Sequence, residues 1–405
     1  MARDARIDIV RGAGVLMIAL DHLAGTIDRI APAGFTVPFI TWSRIGWSSA
    51  AEFFVFFSGY LIGLVYSSTL EARGPAMLQA RAIHRSWQIY AANVLTALVV
   101  LLLLYATPIG STQLVDSANF SRLLAGDGSG WVSFLTLQQA PMFFEILQLY
   151  VLLILIAPVV LLIARANVLV ALAGSIAVWL AVQVNPGITI SGWTFNPFAW
   201  QLVFVLGMLF STTRAFEKIE AAVPRATLLV SCAAFICVAG LIKVIDKGGI
   251  ALPLLGQIDV PGIDKQTLGP LRLTHFMLSV VLIMQLLPRS GRHLASLPAR
   301  SVAGIGQYSL ECFCMSTILV YTCSGLLVST ASVTTASVLV SGIVLVLLLC
   351  LFAAFMAWIR NEPWRGDRVR KQTRDEPAAR TDATGAVADT REGFTPGRLT
   401  VGAAD

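Results

Sequence analysis

Charge is scarce in this chain of 405 residues, where 13% are Asp, Glu, Lys or Arg, against about a quarter in soluble domains. Residues 361–405 hold 16 of those 52, so the rest of the chain carries one in ten. That excludes a soluble globular domain. Ten-residue segments of alternating hydrophobicity are also missing, which excludes an outer-membrane barrel. The six cysteines (Cys232, Cys237, Cys312, Cys314, Cys323 and Cys350) lie in apolar stretches, with neither zinc spacing nor a disulfide framework. They read as small packing residues. No Walker loop, GxGxxG or His-rich spacing occurs, so no metal site and no permanently bound cofactor is expected. No small-residue cleavage site follows the first apolar run, so Arg3, Asp4, Arg6, Asp8 and Arg11 introduce a retained helix rather than a signal peptide. The formal net charge of +6 does not point to nucleic acid, because basic residues collect in the cytoplasmic loops of any membrane protein.

What the chain does have is apolar sequence, 56% of its residues, in many runs of ~17–25 residues that suit membrane-spanning helices. The fold class is all-α, a polytopic membrane protein with about ten transmembrane helices. The expected spans are 10–30, 49–67, 87–107, 143–164, 167–184, 198–213, 226–245, 272–288, 302–328 and 335–359, the ninth long enough to begin as an interfacial piece. With the N-terminus inside, 14 Lys and Arg up to residue 360 fall on the cytoplasmic side and seven on the outer side. That bias places both termini in the cytoplasm. Two regions follow: a transmembrane domain over 1–360, and a cytoplasmic tail over 361–405 that lacks apolar periodicity and reads as disordered. The outer loops 108–142, 185–197 and 246–271 are long and rich in Gly, Pro, Ser and Trp, which suits a substrate on that face or merely tolerated insertion.

Ionisable groups inside a span are costly and mark function by default. The first helix holds Arg11, Asp21 and His22. Eleven residues put Arg11 and His22 ~20° apart around the helix and ~16 Å apart along it. His22 therefore lies near mid-membrane, on the face that carries Arg11 at the cytoplasmic edge. It is either a base or an imidazole bonded between helices; Arg11 is either a functional cation or a snorkelling anchor. Glu52 opens the second span, followed by Ser58 and Tyr60, and a carboxylate there could orient His22. Arg81 and Arg85, i,i+4 neighbours, suit a phosphate or a positive-inside anchor. Glu145 and Gln148 open the fourth span, Asn196 and Trp200 the sixth, and Arg272 and His275 the eighth. Together they suggest a water-filled cavity open to the outer side, where tryptophans either stack on sugar or belong to an interfacial belt. Spacing alone leaves two classes, a transmembrane transferase and a proton-coupled exporter of glycan or small molecules with His22 and Asp21 as relay.

Seven motifs then add a resemblance. RDARIDIVRGAGVLMIALDH (3–22), SSAAEFFVFFSGY (48–60), RAIHRSWQIYAAN (81–93), FFEILQLYVLLILIAP (143–158), FNPFAWQLVFVLG (195–207), LGPLRLTHF (268–276) and IGQYSLECFC (305–314) occur in order over nearly all of 3–360. In these the chain resembles the OpgC-type membrane acyltransferases of the acyltransferase-3 superfamily. The superfamily's Arg, ten residues, His pattern falls on Arg11 and His22. Relatives commonly have Met-Asp-Ile-Leu-Pro at the fourth span, where this chain has Phe144, Glu145, Ile146, Leu147 and Gln148. The resemblance implies an enzyme of the bacterial inner membrane that passes a succinyl or other short acyl group from cytoplasmic acyl-CoA, with succinyl-CoA the donor expected first, to hydroxyls of periplasmic glucan. Its partners would be lipid, acyl-CoA and the glucan, with oligomeric state left open, a homo-oligomer included. His22 would act as base or as acyl-carrying nucleophile, with Asp21 or Glu52 orienting it. Arg11, Arg81, Arg85, Ser58 and Tyr60 would serve the donor. Glu145, Gln148, Asn196, Trp200, Arg272 and His275 would serve the acceptor or the acyl carboxylate, with Arg272 expected to meet that carboxylate.

Overall fold

Apolar runs interrupted by Pro, Gly and Asn become helices that stop and turn at those residues. The computed structural model describes residues 4–107, 110–126, 128–246, 260–288, 294, 296–330 and 332–360, and among these every regular element is a helix. In chain order they are α1 (Ala5–Ile30), α2 (Trp42–Ile45), α3 (Ala50–Ala106), α4 (Thr112–Ser117), α5 (Ser121–Leu124), α6 (Ser129–Leu135), α7 (Glu145–Ala166) and α8 (Val168–Val184). There follow α9 (Pro197–Thr213), α10 (Ala215–Ala222), α11 (Arg225–Asp246), α12 (Pro270–Leu286), α13 (Leu297–Gln307), α14 (Ser309–Ser329) and α15 (Thr335–Arg360). Residues Met1–Ala357 form one unit and Trp358–Asp405 a second. The expected tail, 361–405, lies outside the described residues.

Five helices (α3, α7, α11, α14 and α15) are long and apolar enough to cross a membrane, and six if α9 and α10, bent by 73°, form one span. Helices α8 and α12 are apolar but shorter. Five or six helices thus pass by length and hydropathy, with α3 counted as one, and these measures do not confirm the ten expected. The expected spans 49–67 and 87–107 are both parts of α3, broken at Gly74 (φ 77°, ψ 177°), with Pro75 next. Only glycine adopts that backbone readily, and Pro75 brings no N–H to continue the ladder. The chain folds back there, and the Arg81 guanidinium donates to Thr69 Oγ1 across the bend. The ninth expected span divides into α13 and α14 at Tyr308 (φ −107°, ψ 40°).

The first half of α3 is the central helix. Its FFVFF run is buried throughout, and three of its four rings meet rings on neighbouring helices. Phe53 meets Phe276 of α12, Phe54 meets Tyr150 of α7 and Phe313 of α14, and Phe56 meets Phe210 of α9. Helices α3 and α9 approach through reciprocal glycines. A Cβ on Gly59 would strike the Phe204 backbone, and one on Gly207 the Phe56 backbone. Small residues that let backbones touch are how helices associate in lipid.

Candidate functional site

At the C-terminal half of α1 and the N-terminal ends of α3, α7 and α12, the helices leave a cavity of about 480 Å³. It brings together four of the expected residues, Asp21, His22, Glu145 and Arg272. His22 lies against the face of Phe143, ring centroids 3.8 Å apart and 16° from parallel, with Phe313 edge-on at 6.1 Å. Its buried Nδ1 has no hydrogen-bond partner among the described residues. The ring is therefore held by aromatic packing alone.

Phe143 is in the left-handed region at φ 77°, which costs a residue with a side chain about 1–2 kcal/mol. What secures it is Glu145. One carboxylate oxygen accepts the Phe143 N–H at 2.8 Å and the other the Thr194 hydroxyl at 3.1 Å. Glu145 and Thr194 also line a second cavity of about 280 Å³, with Asn119, Arg122 and Gln139 on its wall. Asp21 accepts hydrogen bonds from the hydroxyls of Thr41 and Ser43, so its carboxylate is turned to the 41–43 segment and not to His22.

Glu52 does not orient His22, contrary to expectation. Fully buried, it takes the Ser49 N–H at 2.9 Å and the Ser49 hydroxyl at 2.5 Å, and pairs with Arg272 Nε at 2.5 Å. A carboxylate three residues after an N-cap serine closes the helix start, and Arg272 neutralises it. Arg272 gives Nε to Glu52 and Nη2, at 3.2 Å, to Ser49, so its expected partner, an acyl carboxylate, would share a guanidinium already paired with Glu52.

The remaining expected residues lie outside this cavity. Gln148 donates to the Leu137 carbonyl, which also accepts Trp193 Nε1. Asn196 caps α9 through Phe198 N. Trp200 is fully buried, edge-on to Phe195, with Nε1 donating to the Lys265 carbonyl at 2.9 Å; it is neither a sugar platform nor a belt residue. His275 is buried with Nδ1 2.8 Å from Ser48 Oγ. Arg11 donates to Ser309 Oγ at 2.5 Å, Ser58 accepts from Tyr150, and Tyr60 packs on Phe216. Arg81 and Arg85 are exposed, bonded to Thr69 and Gln88.

Sequence reasoning missed Lys265, Lys243, Arg29 and Arg44 as cavity residues, along with the two rings on His22. Lys265 opens onto the cavity, its Nζ 4.7 Å from the centre of the Phe195 ring. Enclosure by protein on its other sides holds the ammonium below the usual lysine range, with Glu52 opposing that most. The signal lay in Trp200, whose indole N–H sought a carbonyl, but the sequence does not say which one. Among the described residues no cluster of His, Cys, Asp and Glu suits a metal.

A family model described as "OpgC protein" matches residues 3–361. No curated protein matches the chain, and no solved structure does.

Proposed function

The chain belongs to the OpgC family, and from that premise we propose that it is an integral inner-membrane O-acyltransferase. It moves a succinyl or other short acyl group from cytoplasmic acyl-CoA to hydroxyls of periplasmic glucan, with both termini in the cytoplasm. The observation that carries this reading is the imidazole of His22, with no hydrogen bond of its own at Nδ1, on the wall of a cavity that polar and charged groups share with apolar ones. A thioester is already activated, so the chemistry left to the protein is alignment of a hydroxyl and removal of its proton. His22 takes that proton as the hydroxyl oxygen attacks the thioester carbon. The carbon–sulfur bond breaks, and the proton passes to the departing thiolate.

Glu145 and Thr194, at the junction of the two cavities, suit the hydroxyls of a sugar chain that runs from one into the other. Arg81 and Arg85, exposed and one helical turn apart, are the cations offered to the phosphates of CoA. Mass spectrometry of periplasmic glucan tests the reading, in cells that carry the gene, lack it, or carry His22→Ala. Acyl esters are expected only in the first, since loss of a general base costs about 10²- to 10⁴-fold. Unmodified glucan in all three would overturn the reading. Esters unchanged while glucan leaves the cytoplasm more slowly would favour an exporter.

A further inference from the structure

Five cations line the main cavity: Arg29, Arg44, Lys243, Lys265 and Arg272. Four have work already. Arg44 pairs with Asp28 at 2.5 Å and Arg272 with Glu52 at 2.5 Å. Lys243 donates to the Ser43 carbonyl at 2.5 Å and also to that of Gly46, and Arg29 donates to Met142 Sδ. The Lys265 ammonium has no hydrogen bond or ion pair among the described residues and rests only over the Phe195 ring. Its backbone, by contrast, is pinned on every side. Trp200 Nε1 donates to the Lys265 carbonyl, Trp179 Nε1 to that of Leu268 at 2.9 Å, and Gln183 to that of Thr267 at 2.7 Å. Asp264 closes the turn by accepting the Thr267 N–H and hydroxyl, both at 2.7 Å. A loop this firmly held presents one unpaired cation to the chamber that contains His22.

An ammonium exposed to the open cavity and without a hydrogen-bonded counterion fits a ligand that brings negative charge. Asp21 and Glu145 on the same wall disfavour a phosphate dianion and leave a single carboxylate as the matching group. We propose that Lys265 receives the free carboxylate of the transferred acyl group and thereby selects half-thioesters of dicarboxylic acids over uncharged acyl donors. This rests on the acyltransferase reading, and it gives to Lys265 the role expected of Arg272, whose Nε and Nη2 are bonded to Glu52 and Ser49.

The test uses the full-length protein in lipid nanodiscs, with a glucose oligosaccharide as acceptor and succinyl-CoA or acetyl-CoA as donor. Wild type prefers succinyl-CoA. Lys265→Met and Lys265→Gln, each checked for monodispersity, lower kcat/KM for succinyl-CoA by roughly 10- to 100-fold, the scale of one charged hydrogen bond, and leave acetyl transfer almost unchanged. Lys265→Arg, which keeps the charge, retains most of the preference. Calorimetry with the analogues in which CH₂ replaces the thioester sulfur gives a second readout that needs no turnover. The succinyl analogue binds wild type more tightly than the acetyl one, and Lys265→Met abolishes the difference. Equal loss with both donors, no loss at all, or a wild-type preference for acetyl-CoA overturns the assignment. A wild type that transfers neither donor, yet binds the succinyl analogue through Lys265, would defeat the acyltransferase reading and leave Lys265 as the carboxylate site.

Discussion

Phe143 joins a strained backbone to the orientation of His22, the proposed base. Its N–H is held by Glu145 and its ring by His22, so φ 77° is retained where glycine would be at ease. Phe143→Gly separates the two roles, because it relieves the strain and removes the ring. Thermal stability should change little while kcat falls about 10- to 100-fold, the scale of a base displaced from its productive geometry. An unchanged kcat would mean that the stack does not align His22. Glu52 and Arg272 make the opposite case, where the pair matters for the fold. Removing one partner of a buried pair costs about 3–5 kcal/mol, so Glu52→Gln should lower Tm sharply in detergent. Glu52→Gln/Arg272→Met should recover part of that loss; additive losses would show that the two residues do not act together.

His22 and Asp21 were legible in the sequence because ionisable residues in an apolar run announce themselves. The partners of Glu52 were not, since Arg272 lies 220 residues away and nothing local links them. Lys265 stayed hidden for a similar reason. A single lysine in a polar loop has no periodicity to betray it, and the placement of its loop depends on Trp200, Trp179 and Gln183, each 65 to 89 residues from the loop residue it holds.

At the scale of elements, the helical class and most helix boundaries could be read from apolar runs and their Pro, Gly and Asn ends. The break at Tyr308 could not, because Gly304 and Gly306 just before it are helical and Tyr308 itself is no breaker; only the length of the run hinted at it. The α3–α9 crossing was equally silent. Gly59 and Gly207 were visible as glycines, but only the assembled pair shows that each faces the other helix's backbone. Gly207→Ala would press a methyl group onto the Phe56 backbone, and overpacking of that kind costs about 1–3 kcal/mol. Thermal unfolding in detergent should show a lowered Tm, with activity at low temperature reduced as well, since α3 also carries Glu52 at the back of the cavity. A Gly207→Ala protein as stable as wild type would mean that the helices part without cost.

On the proposed function, the molecule as a whole has to connect a donor and an acceptor that meet different faces of a membrane. Helix α3 gives the scale. From Ala50, on the cavity wall, to Thr69, which holds Arg81, nineteen residues rise about 29 Å, close to the ~30 Å hydrocarbon core of a bilayer. The Arg81/Arg85 pair and the His22 cavity therefore sit a membrane's thickness apart along one helix. That separation suits CoA phosphates held at one surface and sugar hydroxyls presented at the other, and it predicts a pattern of accessibility. In a cysteine-free background, Thr194→Cys, at the junction of the two cavities, should react with a membrane-impermeant maleimide in cells whose outer membrane alone is opened. Arg81→Cys should react only once the inner membrane is permeabilised. Labelling of both from the same side would place the arginine pair and the cavity on one face and remove the basis for transfer across the membrane. The reverse pattern would invert the topology, putting the cavity in the cytoplasm, where it could not meet a periplasmic glucan.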